Sequence, residues 1–247
     1  MFLWARFQGA AMPVAAHWRS GAIIGGLLLV VGNGGVTWAE RSIPSGVTAL
    51  LIATSPIWFV MLDWLFFGGK RPTRQVAIGL AIGLCGVILL IGPDRILTGG
   101  GFSVAGIVAL MLATGTWAAG SLYSRRAALP ASPLMATAVE TLAGGAILLV
   151  ISALTGEPFT LDPSRISTLS LLSLLYLLVF GSLVGFTAYV WLLRVSTPAR
   201  VSTYAYVNPV IAVILGWTLG GEELTGRMIL AAAVIVAGVV LIVMRKD

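Results

Sequence analysis

The sequence predicts an all-α membrane protein with eight transmembrane helices, part of a ten-helix bundle built from two inverted five-helix repeats. Three observations lead there. The first is composition: of 247 residues, 58% are hydrophobic and 10% charged, and the mean hydropathy is +1.01. A water-soluble domain needs about a quarter of its residues charged to dress its surface, so this chain must turn its outer surface to lipid. The second is length, because the apolar runs match the roughly 20 helical residues that cross a hydrocarbon core about 30 Å thick. The third is self-similarity at a constant spacing along the chain.

In order, the spans are Gly21–Trp38, Gly46–Phe67, Val76–Ile91, Phe102–Leu122, Ser132–Leu154, Leu169–Leu193, Val201–Leu219 and Met228–Met244. The runs are too long for strands and show no two-residue alternation. In lipid each backbone polar group must be satisfied within its own segment, which leaves helices. Turn-forming residues separate the runs: Ser42-Ile43-Pro44-Ser45, Gly68-Gly69-Lys70-Arg71-Pro72, Gly99-Gly100-Gly101, Leu129-Pro130-Ala131, and the stretch 155–165. None of these gaps has room for a soluble domain.

The formal charge of +6 would suggest nucleic acid in a soluble chain. Here the basic residues fall in the gaps, where they orient the helices, and no nucleic-acid partner is expected. The side holding both termini carries Arg6, Arg19, Lys70, Arg71, Arg74, Arg125, Arg126, Arg194, Arg200, Arg245 and Lys246, and the other side Arg41, Arg95, Arg165 and Arg227. Eleven against four predicts that both termini are cytoplasmic in an inner membrane of bacterial type. One cysteine, Cys85, and one histidine, His17, are too few for a disulfide framework or an ordinary zinc site. No metal or cofactor is expected, and Cys85 reads as packing filler.

Shifted by 153 residues, Gly32 meets Gly185, Trp38 meets Trp191, Arg41 meets Arg194, Pro56 meets Pro209 and Trp64 meets Trp217. Gly68 with Gly221, Arg74 with Arg227 and Asp94 with Asp247 extend the match. Corresponding spans lie five helices apart, an odd number, so the two copies insert in opposite directions. Inverted repeats are the mark of alternating-access carriers, whose substrate site lies near the midplane. The first copy (1–97) has three spans and the second (98–247) five. The expectation is therefore a ten-helix protein missing its first two helices, with Met1-Phe2-Leu3-Trp4 as the stub of a lost span.

The stretches Gly32-Asn33-Gly34-Gly35-Val36-Thr37-Trp38-Ala39-Glu40, Pro44-Ser45-Gly46-Val47 and Ala53-Thr54-Ser55-Pro56 resemble EamA-type permeases of the drug/metabolite transporter superfamily. So do Ser202-Thr203-Tyr204-Ala205-Tyr206-Val207-Asn208-Pro209-Val210 and Gly220-Gly221-Glu222. The likeness runs from about residue 20 onward and is nearest to the inner-membrane metabolite exporters. It implies two inverted five-helix halves, a central cavity, and export of metabolites or amphipathic compounds.

Two acids fall inside spans, where an ionised carboxylate costs roughly 2.5–3.5 kcal/mol at a helix centre. Glu140 is eight residues in from Ser132, about 12 Å deep, and is the expected cavity carboxylate, binding a cationic group or carrying a proton. The other reading is a protonated acid hydrogen-bonded to a neighbouring helix. Asp63 is shallower and within reach of Lys70, Arg71 and Arg74, so an interfacial ion pair is expected.

Pro56 and Pro209 sit mid-span, each freeing a carbonyl (Ile52, Ala205) and bending its helix. Such breaks often line transporter cavities, and polar side chains flank both: Thr54 and Ser55 in one copy, Tyr204, Tyr206 and Asn208 in the other. Asn33 and the deep Trp117 complete the expected cavity lining. Trp38, Tyr123, Tyr189 and Trp191 lie near span ends, where interfacial anchoring is the commoner role. The pairs Gly79/Gly83, Gly181/Gly185 and Gly216/Gly220 allow close helix contact.

No HExxH, GxSxG or P-loop lysine occurs, so an enzyme is not expected. With no ATP site, energy comes from a gradient or from the solute. The expectation is a secondary transporter of small organic solutes, with a proton as candidate co-substrate and the bilayer as its surroundings. A non-transporting membrane scaffold or assembly subunit is the alternative.

Overall fold

The computed structural model describes residues 1–43, 45–92, 103–157, 166–220 and 223–244. Pro44, Asp94, Arg95, Gly99, Gly100, Gly101, Phe102, Arg165, Gly221, Glu222, Arg245, Lys246 and Asp247, singled out above, lie outside them. Among the described residues every regular element is helical. Helix α1 is Phe2–Phe7, and α2 runs Ala15–Ala39. Next come α3 (Ser45–Ile52), α4 (Ser55–Phe66) and α5 (Arg74–Ile91). Then follow α6 (Val104–Ser124), α7 (Pro133–Thr155) and α8 (Thr168–Val195). The last are α9 (Pro198–Ser202), α10 (Tyr204–Gly220) and α11 (Gly226–Val243).

Five of these, α2, α6, α7, α8 and α11, are long and apolar enough to cross a membrane, and α4 and α5 are shorter apolar helices. Their starts are written in the sequence. The side chains of Thr73, Ser132, Ser167, Thr197 and Thr225 each accept a bond from a backbone N–H of the following first turn. Pro133 and Pro198 follow their caps at positions that need no N–H. Gly156, at φ +78°, closes α7 in the left-handed conformation that a Cβ would disfavour.

The second expected span is two helices. The chain breaks at Ala53–Thr54, and Pro56 falls in the first turn of α4 rather than within a continuous helix. There its missing N–H costs nothing. The Ile52 carbonyl accepts the Ser55 hydroxyl, and the Leu51 carbonyl accepts that of Thr54 at 2.6 Å. The seventh expected span is likewise interrupted, at Thr203 between α9 and α10. Ser202 donates to the Ala199 carbonyl at 2.9 Å and Thr203 to that of Arg200 at 2.7 Å. Pro209 does lie inside its helix. Hydroxyls thus close the chain ends that the breaks expose.

Among the described residues two helices contain π-helical turns: Gly26–Asn33 in α2 and Leu177–Phe186 in α8. Shifted by 153 residues, the first would span 179–186, so both irregularities end at equivalent positions. The start of α3, Ser45, shifts onto Pro198, the start of α9. Long π-helical runs are rare, and here they recur at the offset that aligns the tryptophans and prolines.

The chain forms two compact units, Met1–Val31 with Tyr123–Val195, and Gly32–Leu122 with Ser196–Asp247. In the first, α2 packs on α7 through small residues. A Cβ on Gly25 would lie 2.5 Å from the Glu140 carbonyl oxygen and 2.8 Å from the Gly144 Cα, so the two backbones touch. Ile24 and Leu28 are buried beside this contact. In lipid, where apolar side chains gain little by leaving the solvent, such van der Waals contact is the main cohesion. Helix α8 presents Leu169, Leu172, Leu175, Leu178 and Phe180 outward, as a lipid-facing helix does. A Cβ built on Gly181, on the same helix, would meet nothing from another element within 4 Å among the described residues. Of the expected glycine contacts, that of Gly181 is therefore not made.

In the second unit α5 packs on α11. A Cβ on Gly238 would meet the Gly83 nitrogen at 2.6 Å and the Gly79 carbonyl oxygen at 2.8 Å. Around this seam Ala53, Val76, Leu80, Val87, Tyr206, Ile235 and Ile242 form one core, and Ala39, Ile43 and Leu110 form another. Cys85, expected to be packing filler, is instead exposed on α5.

Candidate functional site

Glu140 is the eighth residue of α7 and is wholly buried. Ser132 caps the helix and fixes its start, so the helical rise places Glu140 about 12 Å in. On α7 the residues Met135 to Val139 and Gly144 are buried with it. Among the described residues neither carboxylate oxygen has a hydrogen-bond partner. The reading as a protonated acid bonded to a neighbouring helix therefore finds no partner for it. A buried polar group without a bond costs about 1–3 kcal/mol, and more if charged.

Arg194 is the cation whose charge acts on Glu140. Its guanidinium is engaged elsewhere, donating to the carbonyls of Ala131 at 2.8 Å and Pro130 at 3.0 Å. These bonds tie the end of α8 to the turn before α7. Residue type alone did not reveal this use of Arg194, taken above as an orienting charge and as the repeat match of Arg41. Thr187, seven residues earlier on α8, was not singled out either, and its hydroxyl is buried without a partner. A small hydroxyl in a largely apolar stretch, two turns from an arginine, was the available signal. Thr187 also lines an open cleft of about 520 Å³, with Gln8, Ser132, Pro133, Leu134, Leu183, Val184, Ala188 and Trp191.

In the second unit the structure brings together two of the expected lining residues. The Trp117 indole on α6 hydrogen-bonds the Tyr204 hydroxyl at the start of α10, and both side chains are half-buried. The Trp58 ring lies against Gly115 of the same α6, at 3.7 Å from where a Cβ would stand. Asn33, the last residue of the π-helical turns in α2, and Asn208, in the second turn of α10, are exposed. Tyr206 is different: wholly buried, its ring presses on Gly83, and its hydroxyl donates to the Leu80 carbonyl at 3.0 Å. That places Tyr206 in the helix-packing core. Ser55 is buried and Thr54 half-buried, each hydroxyl bound to its own chain. Thr48 on α3 is buried with its hydroxyl unpartnered.

Asp63 carries its carboxylate against Gly69, where a Cβ would stand 2.5 Å from its Cγ. The Arg71 guanidinium lies 5.8 Å from the Trp64 ring centre. The basic loop and the end of α4 thus form one polar edge.

The pattern of the EamA-like transporter family matches residues 1–92 and 104–244. The chain is 40% identical over 240 residues to the "Uncharacterized inner membrane transporter YedA" of Escherichia coli (strain K12), covering 97% of this chain and 75% of that protein. It is 29% identical over 234 residues to the protein PecM of Dickeya dadantii, covering 91% of this chain and 74% of that one. It is 25% identical over 200 residues to a Salmonella typhimurium protein named "Probable amino-acid metabolite efflux pump", covering 79% and 66%. A solved crystal structure aligns over 97% of this chain and 90% of its own, with a TM-score of 0.66 and 22% identity.

Proposed function

Because the chain belongs to the EamA-like transporter family, we propose that it is a secondary permease, exporting small metabolites or amphipathic organic solutes by alternating access of two inverted repeats. Membership makes it a multi-pass inner-membrane transporter of small solutes. The proposal adds direction, mechanism and site. Glu140 is the observation that carries it. A wholly buried carboxylate with both oxygens unpartnered costs stability in the resting protein, and such groups in membrane helices mark substrate or proton pathways. In this reading Glu140 meets the solute or a proton during each cycle.

Trp117, Tyr204, Asn33, Asn208, Thr54 and Ser55 are the proposed wall contacts, and Pro56 and Pro209 the places where helices yield. The hydrogen-bonded Trp117–Tyr204 pair supports the first two. The π-helical segments at matching positions support the duplication that alternating access needs. The excess of Lys and Arg on one side supports cytoplasmic termini.

Reconstitution into lipid vesicles tests the proposal. With a panel of labelled amino acids, nucleosides and organic cations, saturable protein-dependent movement of at least one class is expected. Vesicles no more permeable to the whole panel than protein-free controls would contradict it.

A further inference from the structure

The first unit offers buried acceptors, and its own cation, Arg194, acts on Glu140 by charge while donating its hydrogen bonds elsewhere. Both oxygens of Glu140 and the hydroxyl of Thr187 are buried and have no hydrogen-bond partner among the described residues. Arg194 spends its guanidinium on the carbonyls of Ala131 and Pro130. Those bonds also set the register. Helix α7 begins, and α8 ends, at the level of Arg194, so the two run antiparallel from that point. Thr187 lies seven residues in along α8, about 10 Å, and Glu140 nine residues beyond Ala131, about 13 Å. They therefore fall within one helical turn of each other along the axis. Thr187 at the same time lines the cleft whose walls include Leu134, Leu183, Val184 and Trp191.

Unpartnered acceptors in a low-dielectric site select a ligand that brings donors, because a site built for N–H groups is left unsatisfied by an analogue lacking them. We infer that this site takes a protonated primary or secondary amine, whose N–H groups meet Glu140 and Thr187 and whose apolar part lies along the cleft. This rests on Glu140 being part of the solute site. A quaternary ammonium of the same charge has no N–H to offer. Holding one through cation–π contact takes aromatic faces, and the cleft supplies one ring, Trp191. An anion would meet Glu140 with Arg194 already engaged.

Calorimetric titration of the protein in lipid nanodiscs, with empty discs as blank, separates the cases. The probes are butylammonium and butyltrimethylammonium, equal in charge and tail. Butylammonium is expected to bind at least about tenfold tighter, the weight of a hydrogen bond to a charged group. Thr187→Val should remove most of that preference by weakening butylammonium alone, and Thr187→Ser should restore it. Equal affinity for the two cations, or an equal loss of both in Thr187→Val, overturns the amine inference. If Glu140→Gln binds both cations as the unaltered protein does, the placing of Glu140 at the solute site fails as well. If Glu140→Gln loses both while the unaltered protein does not discriminate, only the amine inference falls.

Discussion

Replacing Glu140 by methionine is expected to stabilise the protein and to stop transport. The side chain is wholly buried with both oxygens unpartnered, so the resting fold bears its desolvation without a compensating bond. Insertion scales put a carboxylate at a helix centre at roughly 2.5–3.5 kcal/mol. Methionine is unbranched, of similar length and adaptable in shape, and so opens no large cavity. For a chain of this size that free energy corresponds to a melting temperature higher by about 5 °C or more. A carboxylate kept for structure predicts the reverse, since breaking its bonds would destabilise. Thermal denaturation of purified Glu140→Met in detergent decides between them, and a lower melting temperature would count against a transport role.

The second large effect is structural. Gly25→Leu is expected to disrupt the first unit by more than about 3 kcal/mol, the range of severe overpacking. At Gly25 a Cβ meets backbone on three counts: the Glu140 carbonyl oxygen at 2.5 Å, the Gly144 nitrogen at 2.7 Å and the Gly144 Cα at 2.8 Å. Backbone cannot rotate aside as a side chain can. Helix α2 must then move off α7, and the Gly25–Gly144 contact is lost. Gly145 provides the control, because nothing stands within 4 Å of a Cβ there. In fluorescence-detected size exclusion, Gly25→Leu should lose most of its monodisperse peak while Gly145→Leu keeps it. Equal yields from both would show that the α2–α7 seam tolerates separation.

Much of this architecture could be read from residue order alone, for reasons visible in particular segments. Helix α7 has a serine cap, a proline at its first turn, a long apolar run and a glycine stop, all local signals. Glu140 stood out because one acid in such a run is expensive. The breaks near Pro56 and at Thr203 were harder. A hydropathy window passes over Thr54, Ser55, Ser202 and Thr203, because these short hydroxyls satisfy their own chain's carbonyls. Such residues look equally apt to meet a solute or to close a turn.

Tyr206 illustrates the same limit. Its neighbour Tyr204 bonds Trp117, whereas Tyr206 points into the α5–α11 core and bonds Leu80. Two residues apart on a helix means opposite faces, and which face meets a cavity depends on packing partners more than a hundred residues away. The engagement of Arg194 by the Ala131 and Pro130 carbonyls is also a long-range fact, 63 and 64 residues apart. Without it, the absence of a donor for Glu140 has no local signature.

The central claim is that Glu140 takes part in moving a solute. Counterflow measures that most directly. Vesicles holding the unaltered protein or Glu140→Gln at equal incorporation are preloaded with unlabelled solute and diluted into a trace of the labelled one. The account predicts a transient accumulation of label for the unaltered protein and none for Glu140→Gln. An accumulation of equal size and rate in both would contradict it.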